Sequence, residues 1–153
     1  MSEIELDDVD HRLLSEVAAD GRIANNVLAR RLGIAPSTCL TRTRRLIDAG
    51  VIRGFHAELD LAALGRPLQA MISIRLQPSA RNQIEEFQHY LTTLPGVINV
   101  YFLAGTEDFQ IHVAAPDGDA LRDFVVGSIS RRREVAGTHT SLIFSHVRPP
   151  LAV

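Results

Sequence analysis

Apolar residues recur along this chain at two spacings, helical before about residue 51 and alternating after it. In the first part, Val9, Leu13, Leu14 and Val17 fall on one side of a helix expected over 7–19, with Asp7 as N-cap and Gly21 just past its end. A second, short helix is expected from about Asn26 to Leu32, capped by Asn25 or Asn26, with Val27, Leu28 and Leu32 inward and Gly33 as its stop. Pro36 suits the first position of a third helix, where its missing N–H costs nothing, and that helix runs to Ala49 before Gly50. Leu40, Thr43, Leu46 and Ile47 form its expected core-facing stripe, which leaves Ser37, Thr38, Thr41, Arg42, Arg44 and Arg45 on the outer and flanking surfaces.

Two helices joined by a short glycine-containing turn make a helix-turn-helix, and the helix before them supplies the third wall of a small core. Residues 51–59 alternate loosely, as an extended linker strand does, and Gly65-Arg66-Pro67 closes that segment. Leu68, Ala70, Ile72, Ile74 and Leu76 then alternate strictly with polar or flexible neighbours, a strand with one buried face that Pro78 ends. A helix is expected from about Ala80 to Thr93, strands over Val97–Ala104 and Phe109–Ala114, a helix capped by Asp117 or Asp119, and a last strand from about Thr138 to Val147. The order β-α-β-β-α-β is the ferredoxin-like unit. The expected fold is therefore α+β. It comprises a winged-type helix-turn-helix domain over 1–52, a linker strand over 53–67 and a ferredoxin-like domain over 68–153.

Composition narrows the class of protein. The chain has 153 residues, 46% of them hydrophobic and 22% charged, which is the balance of a globular protein. No apolar run is long enough to span a membrane and no signal sequence opens the chain, so a cytoplasmic location is expected. Cys39 is the single cysteine; it has no zinc-type neighbours and reads as a small hydrophobe at a half-buried position. The histidines at 11, 56, 89, 112, 139 and 146 lack ligand spacing, so no metal site is expected. His112, His139 and His146 are placed on strands of one sheet as surface or interface groups, and Arg131-Arg132-Arg133 in a solvated loop.

Charge distribution says more than the net charge of −2. From Arg22 to Arg53, seven arginines stand against one acid, Asp48, whereas the preceding segment is acidic. This excess on a helix-turn-helix points to double-stranded DNA, with Arg42, Arg44 and Arg45 as contacts, Arg30 and Arg31 beside the backbone, and Ser37, Thr38 and Thr41 near base edges. Ion pairs with the acidic first helix are expected to claim one or two of these arginines. Six or seven phosphate contacts from a dimer give a salt slope on the order of −6. No nucleophile–base pair, metal cluster or phosphate loop is present in the sequence, so an enzyme is not expected.

The chain resembles the Lrp/AsnC family of transcription regulators. The resemblance rests on Asp10, Asp20-Gly21-Arg22, Leu32-Gly33-Ile34-Ala35-Pro36-Ser37-Thr38-Cys39, Arg42, Arg44-Arg45-Leu46 and Gly50-Val51-Ile52. In the second half it rests on Pro95-Gly96-Val97, Gly105 and Asp108. It implies an N-terminal DNA-binding domain and a C-terminal domain that dimerises through its sheet, assembles into tetramers or octamers, and binds an amino-acid effector between dimers; no cofactor is implied. Ala35 stands where the family commonly has a serine cap, and Glu107 where it commonly has an aromatic residue.

Spacing alone makes Gly105-Thr106-Glu107-Asp108 an ordinary hairpin turn. With the resemblance, Gly105 is expected to allow a left-handed or close-approach backbone, and Asp108 to face an ammonium group. Backbone amides near Thr106 and Glu107 are expected to face a carboxylate, while Thr138, His139 and Thr140 close the pocket from a neighbouring dimer. The alternative is an architectural DNA-bending protein that responds to no effector.

Overall fold

The computed structural model describes residues 4–147 and residue 149. The outermost parts of the expected domains, residues 1–3, 148 and 150–153, lie outside the described residues. The chain divides into two compact units, one reaching to Glu58 and the other spanning Leu59–His146.

The first unit is three helices, α1 (Asp8–Ala19), α2 (Asn25–Leu32) and α3 (Pro36–Asp48). Asp7 caps α1 in a capping box: its carboxylate accepts the Asp10 N–H at 2.9 Å, and the Asp10 carboxylate accepts the Asp7 N–H at 3.2 Å. The expected asparagine cap of α2 is not formed. Ala24 is the cap residue, and the Asn25 side-chain amide instead donates to the Pro36 carbonyl at 2.9 Å, tying the start of α2 to the start of α3. Gly33 ends α2 at φ 71°, and Pro36 opens α3 behind the uncapped Ala35.

Leu13, Leu28, Ala29, Leu32, Cys39 and Leu46 form the core of this unit. The expected stripe on α3 is corrected here: Leu40 and Ile47 are 41% and 42% exposed, while Cys39 and Leu46 are fully buried. The inward arc is centred on Cys39, Thr43 and Leu46, with Arg42 at its margin. Cys39 is therefore wholly rather than half buried, and burial pushes its thiol up from the ordinary value.

Residues 53–67 do not form the expected linker strand. Alternation supplies the side-chain pattern of a strand, but a strand also needs a neighbouring edge, and none pairs with this segment among the described residues. A turn follows instead, in which the Asp60 carboxylate accepts the N–H groups of Ala62 and Ala63, and the Arg66 N–H donates to the Leu61 carbonyl at 2.8 Å.

The second unit has four strands, β1 (Leu68–Leu76), β2 (Val97–Phe102), β3 (Phe109–Ala115) and β4 (Val135–Ile143). They form one antiparallel sheet in the order β2-β3-β1-β4, the ferredoxin-like arrangement. Ala70, Ile72, Ile74 and Leu76 alternate onto one face and join Phe109, Ile111 and Val113 under the helices. The first connection opens as a 3₁₀ turn, Pro78–Gln83, and becomes α4 (Ile84–Thr93); Phe87 and Leu91 seal it to the core. The second is α5 (Gly118–Phe124), capped by the Asp117 side chain on the Ala120 N–H, and it continues as a π-helical turn over Val125–Ser130.

Candidate nucleic-acid interface and effector region

The outer side of α3 exposes Ser37, Thr38, Thr41, Arg44 and Arg45, and Arg30 and Arg31 are exposed on α2. Ala35 gives α3 no side-chain cap, so the first amides of the helix, beside the exposed Ser37 and Thr38, have no acceptor from the cap residue, and a helix end of this kind favours an anion. The Thr41 hydroxyl donates to the Ser37 carbonyl at 3.0 Å, which leaves its lone pairs to accept.

The arginines divide into two groups. Arg42 sends one guanidinium nitrogen to both Asp7, at 2.8 Å, and Asp10, at 2.9 Å. Arg45 pairs with the other Asp10 oxygen. Asp10 itself is fully buried, so this carboxylate is satisfied by two guanidinium groups and one backbone amide. The Asp7 carboxyl is held below its ordinary value, first by the Asp10 N–H and then by Arg42. Arg31 pairs with Glu16 at 2.6 Å, and Arg12 donates to the Arg31 carbonyl at 2.9 Å. Among the described residues no ion pair holds Arg30 or Arg44. Ion pairs are expected for one or two of these arginines; three are paired to α1 and its cap, and Asp10 and Asn25, for which the sequence shows no interhelical role, tie α3 to the other two helices.

The expected effector residues lie in the second unit. The turn between β2 and β3 exposes Gly105 and Thr106, half-buries Glu107 and buries Asp108. The Asp108 N–H donates to the Ile74 carbonyl at 3.0 Å, and its carboxylate accepts the Leu76 N–H at 2.7 Å, so this residue extends the sheet beyond the end of the β1–β3 ladder. Gly105 does not use a left-handed conformation, and a Cβ there would meet open space. The left-handed part of that expectation is corrected.

On β4, Thr138 and Thr140 pair with Ile74 and Ile72 and share their helix-covered face, whereas His139 pairs with Ser73 and points to the opposite face. The structure thus brings Asp108 and Thr138 to the same end of the sheet, on either side of β1, and puts His139 on the other surface. His112 lies on β3 and bonds Gln69 at 2.9 Å, but His146 follows β4 and is not on a strand, contrary to expectation. Arg131 and Arg133 are exposed as expected, but Arg132 is half-buried: its guanidinium lies 4.0 Å over the Tyr90 ring and pairs with Glu134 at 2.8 Å. An open cleft of about 210 Å³, lined by Arg66, Pro95, Ala114 and Phe124 among others, contains none of the expected effector residues.

Comparison with known proteins fits both units. The Lrp/AsnC ligand binding domain matches residues 69–152, and a winged helix-turn-helix DNA-binding domain matches residues 6–53. The chain is 55% identical over 144 residues to the HTH-type transcriptional regulator AldR of Mycobacterium tuberculosis, covering 94% of this chain and 80% of that one. It is 34% identical to a leucine-responsive regulatory protein of Rhizobium meliloti, covering 95% and 93% of the two chains. Among solved structures it is similar to a transcriptional regulator from Neisseria meningitidis in complex with L-Met, with a TM-score of 0.89, 26% identity and coverage of 97% and 96%.

Proposed function

The chain belongs to the Lrp/AsnC family of transcription regulators, and from that premise we propose that it binds double-stranded DNA sequence-specifically and that an amino acid controls its binding or assembly. The observation that carries the DNA half is the exposed face of α3, where Ser37 and Thr38 lie at an uncapped helix start and Thr41 and Arg44 follow along the same helix. Arg30 and Arg31 extend this face, and Arg42 and Arg45 border it. A regulator rather than an enzyme fits the relatives, which are transcriptional regulators, and a cytoplasmic location follows from that role.

For the effector, Asp108 supplies a carboxylate for an ammonium group, and the turn at the exposed Gly105 and Thr106 and the half-buried Glu107 supplies backbone N–H donors for a carboxylate. A free amino acid carries both charges, and a similar regulator is solved with L-Met. Thr138 and Thr140 remain on the same side of the sheet as each other; His139 would reach an effector only from another protomer. Homodimers that build tetramers or octamers are supported by the exposed apolar residues Ile98, Tyr101, Phe102, Leu142 and Phe144 on and beside the edge strands.

The test is a thermal-shift screen of the twenty amino acids, paired with DNA-binding titrations of the full chain. An effector at a hundredfold excess over its Kd stabilises by about 2.7 kcal/mol. DNA binding without any ligand response would favour the effector-independent architectural reading, and absence of DNA binding would overturn both.

A further inference from the structure

We propose that Asp10 is a positioning residue for DNA recognition: it locks Arg42 and Arg45 to the first helix, so that they orient α3 while Arg44 and Arg30 make the phosphate contacts. This rests on the reading of α3 as the DNA-facing helix.

Arg42 and Arg45 lie three residues apart on α3, one above the other on the same side. They meet the two oxygens of a single carboxylate that is 0% exposed. Asp10 cannot move to follow them, because it is also the third residue of the α1 capping box and returns a bond to the Asp7 N–H. Arg42 is the more deeply held of the two, with its side chain 27% exposed and both Asp7 and Asp10 on one nitrogen. A guanidinium drawn away to a phosphate would leave the Asp10 charge buried with one partner fewer.

Arg44 lies between the two clamped arginines in sequence, and the helical turn directs it away from α1. Arg30 is likewise exposed, and among the described residues neither has an ion-pair partner. Four of the seven arginines that stand out in the sequence thus divide between two tasks, Arg42 and Arg45 in the clamp and Arg30 and Arg44 outside it. Sequence discrimination depends on the angle at which Ser37, Thr38 and Thr41 are presented, which the clamp sets, and general affinity on the unclamped charges.

Two duplexes separate these tasks: one recovered from a random library by selection with the unaltered chain, and a shuffled duplex of the same composition. Binding of the full chain to each is measured by fluorescence anisotropy from 50 to 300 mM KCl, for Arg42→Lys, Arg42→Ala, Arg44→Ala and Asp10→Asn. Arg42→Lys keeps the charge but loses the planar fork; the expected result is at least a tenfold loss of discrimination between the duplexes, with affinity for the shuffled duplex and its salt slope unchanged. Arg44→Ala is expected to weaken both duplexes alike and to flatten the slope by about 0.9 for each protomer on the DNA. Asp10→Asn is expected to lose discrimination as Arg42→Lys does, with a steeper slope because guanidinium charge is released to phosphate.

A residue that only stabilises the fold would lower binding to both duplexes in proportion and leave their ratio intact, so retained discrimination in Arg42→Lys overturns the proposal. A flattened slope in Arg42→Ala, equal to that of Arg44→Ala, overturns it as well and makes Arg42 a phosphate contact, with the DNA face intact. If Arg44→Ala leaves the slope unchanged, the DNA-face reading fails and the inference falls with it. Should Asp10→Asn unfold the first unit, Arg42→Lys decides alone.

Discussion

The Leu76 amide donates to the Asp108 carboxylate at 2.7 Å, across 32 residues of sequence, at a point where both residues are buried. The bond fills the place of a ladder bond just beyond the last β1–β3 pair, Ile74 with Phe109. Asp108→Ala strips that amide of its acceptor, and the expected loss is about 1–3 kcal/mol of stability, with or without an amino acid present. Asp108→Asn keeps an acceptor oxygen and is expected to lose less. Urea denaturation of the two variants checks the order. An effector response in Asp108→Ala must therefore be read against that variant's own baseline, since a lowered Tm alone reports the lost bond.

Gly33 and Gly96 both hold positive φ, 71° and 88°, but the space around them differs. A Cβ at Gly33 meets nothing within 4 Å, so Gly33→Ala costs only the left-handed conformation, about 1–2 kcal/mol. A Cβ at Gly96 would sit 2.7 Å from the Ala114 carbonyl oxygen, and the Gly96 carbonyl already accepts the Ala114 N–H at 2.8 Å. Gly96→Ala is therefore expected to be the more damaging of the two. Equal denaturation midpoints would show that the turn at Gly96 gives way more easily than its backbone contact implies.

Local signals carried most of the fold. The cap at Asp7, the stop at Gly33, the proline at the head of α3 and the strict alternation of β1 are each decided within a few residues, and each forms as the sequence implies. Failures came where the deciding partner is distant. The loose alternation after Val51 found no strand edge, and the arc on α3 could be centred on Leu40 or on Cys39 until α1 and α2 were packed against it. The Asp10 clamp joins residues 32 and 35 positions apart, so nothing local announces it. For the effector region, sequence proximity grouped Thr138, His139 and Thr140, but a strand sends neighbours to opposite faces, and His139 separates from the other two.

His112 gives the second unit a dependence on pH. Its ring bonds Gln69 at 2.9 Å and lies 6.3 Å from the His146 ring; burial first, and His146 second, press its pKa below the ordinary 6.5. The folded state then binds this proton less readily than the unfolded chain does. Stability is full above about pH 6.5 and falls as the pH drops through the lowered folded value. The lowered Asp7 pKa has the same sign but acts only below the ordinary carboxyl value of 3.8, so between pH 8 and pH 5 only the histidine contributes of these two. His112→Gln keeps a polar group and removes the titration, and is expected to flatten the decline between those pH values; an unchanged decline would place its source elsewhere.

Removing Arg42 and Arg45 together tests stability before it tests DNA binding. The double alanine variant leaves the carboxylate of Asp10, a residue 0% exposed, with the Asp7 N–H as its one remaining partner among the described residues. Breaking a buried pair in this way costs about 3–5 kcal/mol, and solvent at the half-exposed Arg45 moves the figure toward the lower end. Arg44→Ala, which disturbs no pair among the described residues, is expected to stay within about 0.5 kcal/mol of the unaltered chain. Lost DNA binding in the double variant would then reflect an unfolded first unit as much as missing contacts. Adding Asp10→Leu to the double variant removes the stranded charge, and if the clamp is the source of the loss, this triple variant should recover stability but not sequence discrimination. Failure to recover any stability in a denaturation curve would show that the two arginine stems, rather than the charge they neutralise, hold α3 in place.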